Sequence, residues 1–206
     1  MGVITALHGF LGRPEDWDFL GSGTRAVDLF REPIPSEGDV LLGYSMGGRL
    51  ALHALLGGAR YRRAVIVSAA VSPADPGRRE RDEAWARRFE GEPWPDLMRA
   101  WNAQPLFGGH EVERREEDFD RAALARSLRE WSPAALPALE PHLHKIDIPI
   151  LWIAGEQDAK YVAEGERAVA RLPDARLWIC PRAGHRVPWE QRHAFAVRLR
   201  EFALGR

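Results

Sequence analysis

Short apolar runs that end in glycine or polar residues alternate along the chain with stretches of helical periodicity. That rhythm predicts a parallel sheet with helical crossovers. Strands are expected at about 3–8 (VITALH), 24–29 (TRAVDL), 39–44 (DVLLGY), 63–69 (RAVIVSA), 149–155 (PILWIAG) and 175–180 (ARLWIC). Helices are expected at about 46–57, 161–171 and 189–203. Between Ser72 and Asp147 the pattern changes: the stretch is rich in Arg, Glu, Trp and Pro, keeps helical periodicity and shows no clear strand. It is too long for a crossover, so it reads as a helical cap inserted between two strands of the core. The expected organisation is a core of residues 1–71 and 148–206 with an insertion at 72–147, bounded at Ser72-Pro73 and Ile148-Pro149 where prolines punctuate the chain.

The linker between the second and third strands is short. Only about a dozen residues, with Pro33, Pro35 and Gly38, join Leu29 to Val40, and a right-handed parallel crossover needs about that length for its helix alone. The helix there is expected to be missing or reduced to a single turn. One sheet face would then be thinly covered, which points to a monomer or a homodimer built through it.

Composition narrows the class. The chain has 206 residues, is 45% hydrophobic and carries a formal net charge of −1, which suits one substantial core and argues against a nucleic-acid binder. The lone Cys180 lies in the apolar run Leu177-Trp178-Ile179-Cys180 and reads as a reduced, buried filler. No apolar stretch approaches a membrane span and the first residues do not form a signal peptide, so a cytoplasmic protein without a membrane partner is expected.

Candidate chemistry enters with Gly43-Tyr44-Ser45-Met46-Gly47, directly after Val40-Leu41-Leu42. Glycines two before and two after a serine, between a strand and a helix, make a nucleophile elbow: the turn is so tight that side chains beside the serine would clash. Asp158 follows in Gly155-Glu156-Gln157-Asp158 and His185 in Arg182-Ala183-Gly184-His185. Each alone has an ordinary explanation, as helix N-cap, turn acid or surface histidine. Together they fall just past strand ends in the order Ser, Asp, His of the α/β-hydrolase fold. His185 would take the serine proton and Asp158 would hold the imidazole in its tautomer. The backbone N–H groups of Phe10, in His8-Gly9-Phe10, and of Met46 would form an oxyanion hole. Gly9 permits close approach of the backbone, and His8 is assigned a structural role.

Arg49 lies one helical turn after Ser45 and can face the same pocket edge, or be a solvated helix arginine. Arg78 shares a helix face with positions 82, 85 and 89, of which Trp85 and Phe89 are apolar, so it lies on the buried side of that helix. Other cap arginines have acids at i,i+4, as Arg79 has Glu83, the pattern of a solvated face. Trp101, in Ala100-Trp101-Asn102-Ala103-Gln104-Pro105, is either core or pocket wall. The sequence carries no metal-ligand cluster, phosphate loop or dinucleotide fingerprint, so no cofactor or metal is expected.

These residues resemble a known family. Leu7-His8-Gly9-Phe10-Leu11-Gly12 with Asp16-Trp17, then Gly43 through Arg49, are similar to the 2-succinyl-6-hydroxy-2,4-cyclohexadiene-1-carboxylate synthases of menaquinone biosynthesis, members of the α/β-hydrolase superfamily. The likeness continues through Arg78–Trp85, Arg88-Phe89, Trp101, Gln104-Pro105-Leu106-Phe107, Gly155–Tyr161 and Pro181–His185. The chain departs from the family where Asp28-Leu29-Phe30-Arg31-Glu32-Pro33 replaces a glycine-rich segment and where Trp131-Ser132-Pro133-Ala134 replaces a Gly-Thr-Gly-like one. A further cap arginine of the family has Arg114, Arg115 and Arg121 as candidates.

The resemblance implies a truncated α/β-hydrolase fold of about six mostly parallel strands, and a lyase. Pyruvate would be eliminated from 2-succinyl-5-enolpyruvyl-6-hydroxy-3-cyclohexene-1-carboxylate, with Ser45, deprotonated by His185, as base. Carried over by position, Arg49 and Arg78 would bind substrate carboxylates, Trp101 would wall the pocket and Tyr44 would complete it. The alternative is a serine hydrolase, a carboxylesterase, thioesterase or carbon–carbon hydrolase acting on a small anionic substrate through an acyl-enzyme on Ser45. A non-catalytic scaffold would predict a broken triad, and this chain keeps all three members.

Overall fold

In the computed structural model, which describes residues 2–205, the first apolar run becomes β1 (Ile4–Leu7). A 3-10 helix at Pro14–Leu20 leads to β2 (Thr24–Val27), β3 (Glu37–Tyr44), α1 (Met46–Leu56) and β4 (Arg60–Val67). Then come α2 (Arg78–Gly91), α3 (Trp94–Asn102) and α4 (Arg121–Glu130). A 3-10 stretch at Glu140–Lys145 returns the chain to β5 (Ile150–Gly155), α5 (Ala159–Val169), β6 (Ala175–Cys180), α6 (Val187–Glu190) and α7 (Arg192–Ala203). Met1 and Arg206, the outer ends of the expected core segments, lie outside the described residues.

The strands form one six-stranded sheet in the order β2-β1-β3-β4-β5-β6, every neighbouring pair parallel. The chain leaves β1 for β2 on one side and comes back to β3 on the other. The direction of winding therefore reverses between β1 and β3, and the carboxyl ends of those two strands are where an open parallel sheet makes its ligand crevice. Alternation of side chains puts Ile4, Ala6, Val40, Leu42, Tyr44, Val65, Val67, Leu151 and Ile153 in one cluster with Trp17, Leu20, Phe195, Leu199 and Phe202. The intervening Leu7, Leu41, Ala64, Ile66 and Trp152 are buried as well, so the central strands are apolar on both faces, as parallel sheets require. Cys180 is fully buried, and burial pushes its thiol up to about 11, so it is protonated and unreactive at neutral pH.

Several boundaries differ from the periodicity. β3 and β4 begin at Glu37 and Arg60, earlier than their apolar runs, because Glu37 pairs with Arg60 and Gly38 with Tyr61 in the ladder. β2 stops at Val27, where Asp28 turns the chain by accepting the Phe30 N–H on Oδ1 at 3.0 Å. Residues 28–36 contain no helix, as their length dictates. The expected C-terminal helix is two, with a break at Gln191 between α6 and α7.

The chain divides into two compact units. One holds the described residues up to Val71 and from Leu139 onward, which is the whole sheet; the other is Ser72–Ala138. The return segment from Leu139 thus groups with the sheet, where Glu140 N–H reaches the Val71 carbonyl at 3.3 Å. Inside the helical unit, Ala86, Phe89, Leu97, Phe107, Leu124 and Leu128 are buried. Arg129 bridges Glu83 and Glu90, at 2.7 and 2.5 Å, and so ties α4 to α2.

Candidate active site

The turn from β3 into α1 holds Ser45 at φ 52°, ψ −112°, a left-handed backbone that a serine adopts only under constraint. Two neighbours must be glycine. A Cβ on Gly43 would lie 2.6 Å from the Gly47 carbonyl, and one on Gly47 would lie 2.7 Å from the Leu7 carbonyl and nearer still to that of His8. The start of α1 is therefore pressed against the end of β1, and the Ser45 N–H is anchored on the Val67 carbonyl at 2.8 Å. The strain is maintained by packing on three sides, and it leaves Ser45 half-buried while its neighbour Tyr44 is buried.

Three strand ends bring Ser45, His185 and Asp158 together. Ser45 Oγ lies 3.1 Å from His185 Nε2, and His185 Nδ1 lies 2.8 Å from Asp158 Oδ2. With Nδ1–H donating to the carboxylate, Nε2 is the acceptor for the serine proton. Asp158 follows β5 and doubles as the N-cap of α5, accepting the Tyr161 N–H on Oδ1 at 3.3 Å. His185 follows β6 and is almost wholly buried at 1% exposure. Burial pushes its imidazolium below the usual histidine range, partly offset by the hydrogen bond to Asp158, so the ring is neutral and basic at neutral pH. The Tyr161 ring packs on the imidazole with centroids 4.4 Å apart, and Tyr44 approaches its other neighbours at 5.6 Å from His185 and 4.9 Å, edge-on, from Trp189. Burial raises the Tyr44 phenol, which stays protonated.

The end of β1 runs alongside. A Cβ on Gly9 would lie 2.8 Å from the Tyr44 ring and 3.4 Å from Ser45 Cβ, so the Gly9-Phe10 backbone passes directly beside Ser45. Met46 opens α1, where first-turn N–H groups lack intrahelical acceptors. His8 is buried and structural: Nδ1–H donates to the Gly9 carbonyl at 2.8 Å and Nε2 accepts the Leu29 N–H at 3.1 Å. It ties the β1 turn to the end of β2.

Ser45, Asp158, His185, Tyr44, Phe10, Met46 and Arg49 all belong to the sheet unit, Arg78 and Trp101 to the helical one. Arg49 is 5% exposed, not a solvated helix arginine, and its Nη1 donates to the Ala70 carbonyl at 2.8 Å. Arg78 is tied by Nε to Asp82 at 2.7 Å, and buried Asp82 also accepts the Ser132 hydroxyl at 2.5 Å. Trp101 lies within an aromatic cluster, 4.9 Å edge-on from Trp85, 5.6 Å from Phe89 and 6.0 Å from Phe107. Arg79 donates to the Ala134 carbonyl while Glu83 takes Arg129, so the i,i+4 pairing expected of Arg79 is replaced by a tertiary one. Among the other cap arginines, Arg121 reaches the carbonyls of Phe89 and Glu92, each at 2.5 Å, and closes the end of α2, whereas Arg115 pairs with Asp118.

Glu190 and Glu164 are further residues of the site region that the sequence does not single out. Glu190 accepts the N–H groups of Gly184 and Arg186, at 2.5 and 2.8 Å. Glu164, buried on α5, accepts the Val71 N–H at 2.7 Å. Neither stands in a motif, and both act on loop backbone, which leaves no sequence signal. Among the described residues no group of His, Cys, Asp and Glu could hold a metal ion, and no helix is long and apolar enough to cross a membrane.

An elbow serine at the switch point of a parallel sheet, joined to a histidine and an acid from the next strand ends, defines the alpha/beta hydrolase family. The chain belongs to it: the family model matches residues 3–198. Within that family the chain is similar to the 2-succinyl-6-hydroxy-2,4-cyclohexadiene-1-carboxylate synthases. It is 29% identical to the one from Serratia proteamaculans, over 97% of this chain and 92% of that protein. It is 32% identical to the one from Escherichia coli O7:K1, over 88% and 86%. In fold it resembles MenH from S. aureus, with a TM-score of 0.85 at 22% identity over 97% of this chain and 92% of that one. It also resembles an esterase from Exiguobacterium antarcticum, with a TM-score of 0.74 at 18% identity over 98% and 93%.

Proposed function

We propose that the protein is a lyase that eliminates pyruvate from 2-succinyl-5-enolpyruvyl-6-hydroxy-3-cyclohexene-1-carboxylate, with Ser45 as the base. The observation that carries this reading is the assembled Ser45–His185–Asp158 relay in a chain whose similarity to the synthases runs from end to end of the fold. His185 Nε2 accepts the serine proton, and the resulting Ser45 oxygen removes a proton from a ring carbon of the substrate. The electron pair left behind shifts through the ring to form the new double bond, the bond from ring carbon to enolpyruvyl oxygen breaks, and the enolate that leaves takes up the proton held on His185 to become pyruvate. Asp158 stabilises the imidazolium formed on the way, and the amides of Phe10 and Met46 stabilise negative charge that develops on a substrate oxygen.

The substrate carries three carboxylates, and guanidinium groups suit them by bidentate pairing. Arg49 and Arg78 are assigned to that task, with Trp101 and Tyr44 as pocket walls. Asp82, which itself accepts the Ser132 hydroxyl, holds Arg78 in one orientation, which reduces the entropy lost when it meets an anion. The cytoplasm is the compartment assigned with this function.

One observation favours a second reading. The serine and histidine are already within hydrogen-bond reach at 3.1 Å, as an acyl-enzyme mechanism also needs, and an esterase shares the fold. A serine hydrolase of a small anionic ester would use the same triad. The test is pyruvate release from the enolpyruvyl cyclohexene carboxylate beside a panel of short-chain esters. Rapid pyruvate release with feeble ester turnover supports the lyase; ester turnover without pyruvate supports the hydrolase.

A further inference from the structure

Glu190 ends α6, five residues after His185, and the mechanism above gives it nothing to do. Its carboxylate is nonetheless fully engaged. Oε2 accepts the N–H of Gly184 at 2.5 Å and Oε1 accepts the N–H of Arg186 at 2.8 Å, the two amides that flank His185. Charge-assisted bonds of that length are the strong kind. The rest of the loop is held at other points: the Gln157 N–H donates to the Ala183 carbonyl at 2.8 Å. Glu156 accepts the Arg182 N–H at 3.0 Å from an exposed position, and Gln191 donates to the Arg182 carbonyl at 3.2 Å. Gly184 is the right residue opposite the clamp, since a Cβ there would lie 3.3 and 3.4 Å from the two Glu190 oxygens.

We infer that Glu190 is a positioning residue for the base: by gripping the amides on both sides of His185, it sets where the imidazole stands between Asp158 and Ser45. The inference rests on the triad assigned above. The groups facing the imidazole are Tyr44 and Ser45 from the β3 turn, Asp158 and Tyr161 from the start of α5, and Arg186 and Glu190 on its own segment. Asp158 and Glu190 favour the protonated ring, whereas burial and Arg186 oppose it. Removal of the Glu190 charge therefore lowers the pH at which His185 protonates, besides loosening its backbone.

The test uses the full chain and a fluorophosphonate probe. The Ser45 oxygen bonds to phosphorus, fluoride departs, and His185 takes the serine proton, so the rate reports the relay without any assumption about substrate. Glu190→Gln can accept from only one of the two amides and turns an N–H toward the other; Glu190→Ala accepts from neither. Both are expected to label roughly ten- to a hundredfold more slowly, in line with displacement of a reacting group by about 1 Å. Both should also move the acid limb of the rate profile to lower pH. Glu190→Asp keeps two acceptor oxygens on a shorter stem and should recover part of the rate. Labelling of Glu190→Gln within twofold of the unmodified protein overturns the inference. So does a loss that tracks the unfolded fraction, by circular dichroism, with the acid limb unmoved. Absence of labelling in the unmodified protein overturns the triad itself, and this inference with it.

Discussion

Gly9→Ala isolates the contribution of the β1 turn to the chemistry. Gly9 is not among the glycines with positive φ, so alanine meets no backbone penalty and the effect is steric. The added Cβ would lie 2.8 Å from two ring carbons of Tyr44 and 3.4 Å from Ser45 Cβ. Carbon atoms rest at about 3.5–4.0 Å, so roughly 0.7–1.2 Å must be recovered. Tyr44 cannot yield it, because its ring is buried between Trp189 and His185. The Gly9-Phe10 backbone has to move, and it takes the Phe10 N–H with it. Overpacking of this kind costs about 1–3 kcal/mol, against a total stability of about 5–15 kcal/mol for a domain, so the variant should fold. A displacement of about 1 Å at a reacting centre costs on the order of a hundredfold in rate, and loss of one oxyanion donor costs about the same or more. Turnover should therefore fall about a hundredfold while thermal melting shows a folded protein. Turnover within twofold of the unmodified enzyme in a folded Gly9→Ala variant would refute the argument.

Arg78→Ala should slow a polycarboxylate substrate by about tenfold or more, the scale of one charge-assisted hydrogen bond, while a neutral ester loses far less; equal losses would remove Arg78 from substrate binding. Because the His185 pKa lies below the ordinary histidine value of about 6.5, the base stays neutral to lower pH, and the acid limb of kcat/KM should be centred below about pH 6.5. An acid limb centred above that value contradicts the assignment. His53, one turn beyond Arg49 on α1, is held at about 4 by burial and by the Arg49 charge, and its buried Nε2 has no hydrogen-bond partner. The native state then binds fewer protons than the unfolded chain, so this contribution to stability is complete above about pH 6.5 and is lost as pH falls toward 4. His53→Leu should flatten part of the decline in Tm between those values; an unchanged slope would show that His53 does not titrate in this way.

The parts legible in the sequence are those encoded by neighbours along the chain. The elbow is written in five consecutive residues because its constraint is local: Gly43 and Gly47 are required by contacts within one turn and with the adjoining strand. The strand order of Ser45, Asp158 and His185 follows from topology, which the alternation of apolar runs carries. The starts of β3 and β4 were hidden because the Glu37–Arg60 and Gly38–Tyr61 pairs have no apolar signal. The break at Gln191 was hidden because α6 and α7 share one helical pattern. Roles that depend on a side chain meeting distant backbone left no trace at all. Arg121 on the end of α2, Glu164 on Val71 and Glu190 around His185 look in sequence like any charged helix residue. Arg79 shows the converse, since its spacing from Glu83 suggested a local pair that tertiary contacts replaced.

The measurement that tests the central claim most directly follows pyruvate and protein mass together during turnover of the enolpyruvyl cyclohexene carboxylate, with Ser45→Ala alongside. The account predicts one pyruvate per substrate consumed, no mass added to the protein at any time, and no pyruvate from Ser45→Ala. A covalent adduct on Ser45 during turnover, or pyruvate released at the same rate without the serine hydroxyl, would contradict Ser45 as the base of an elimination.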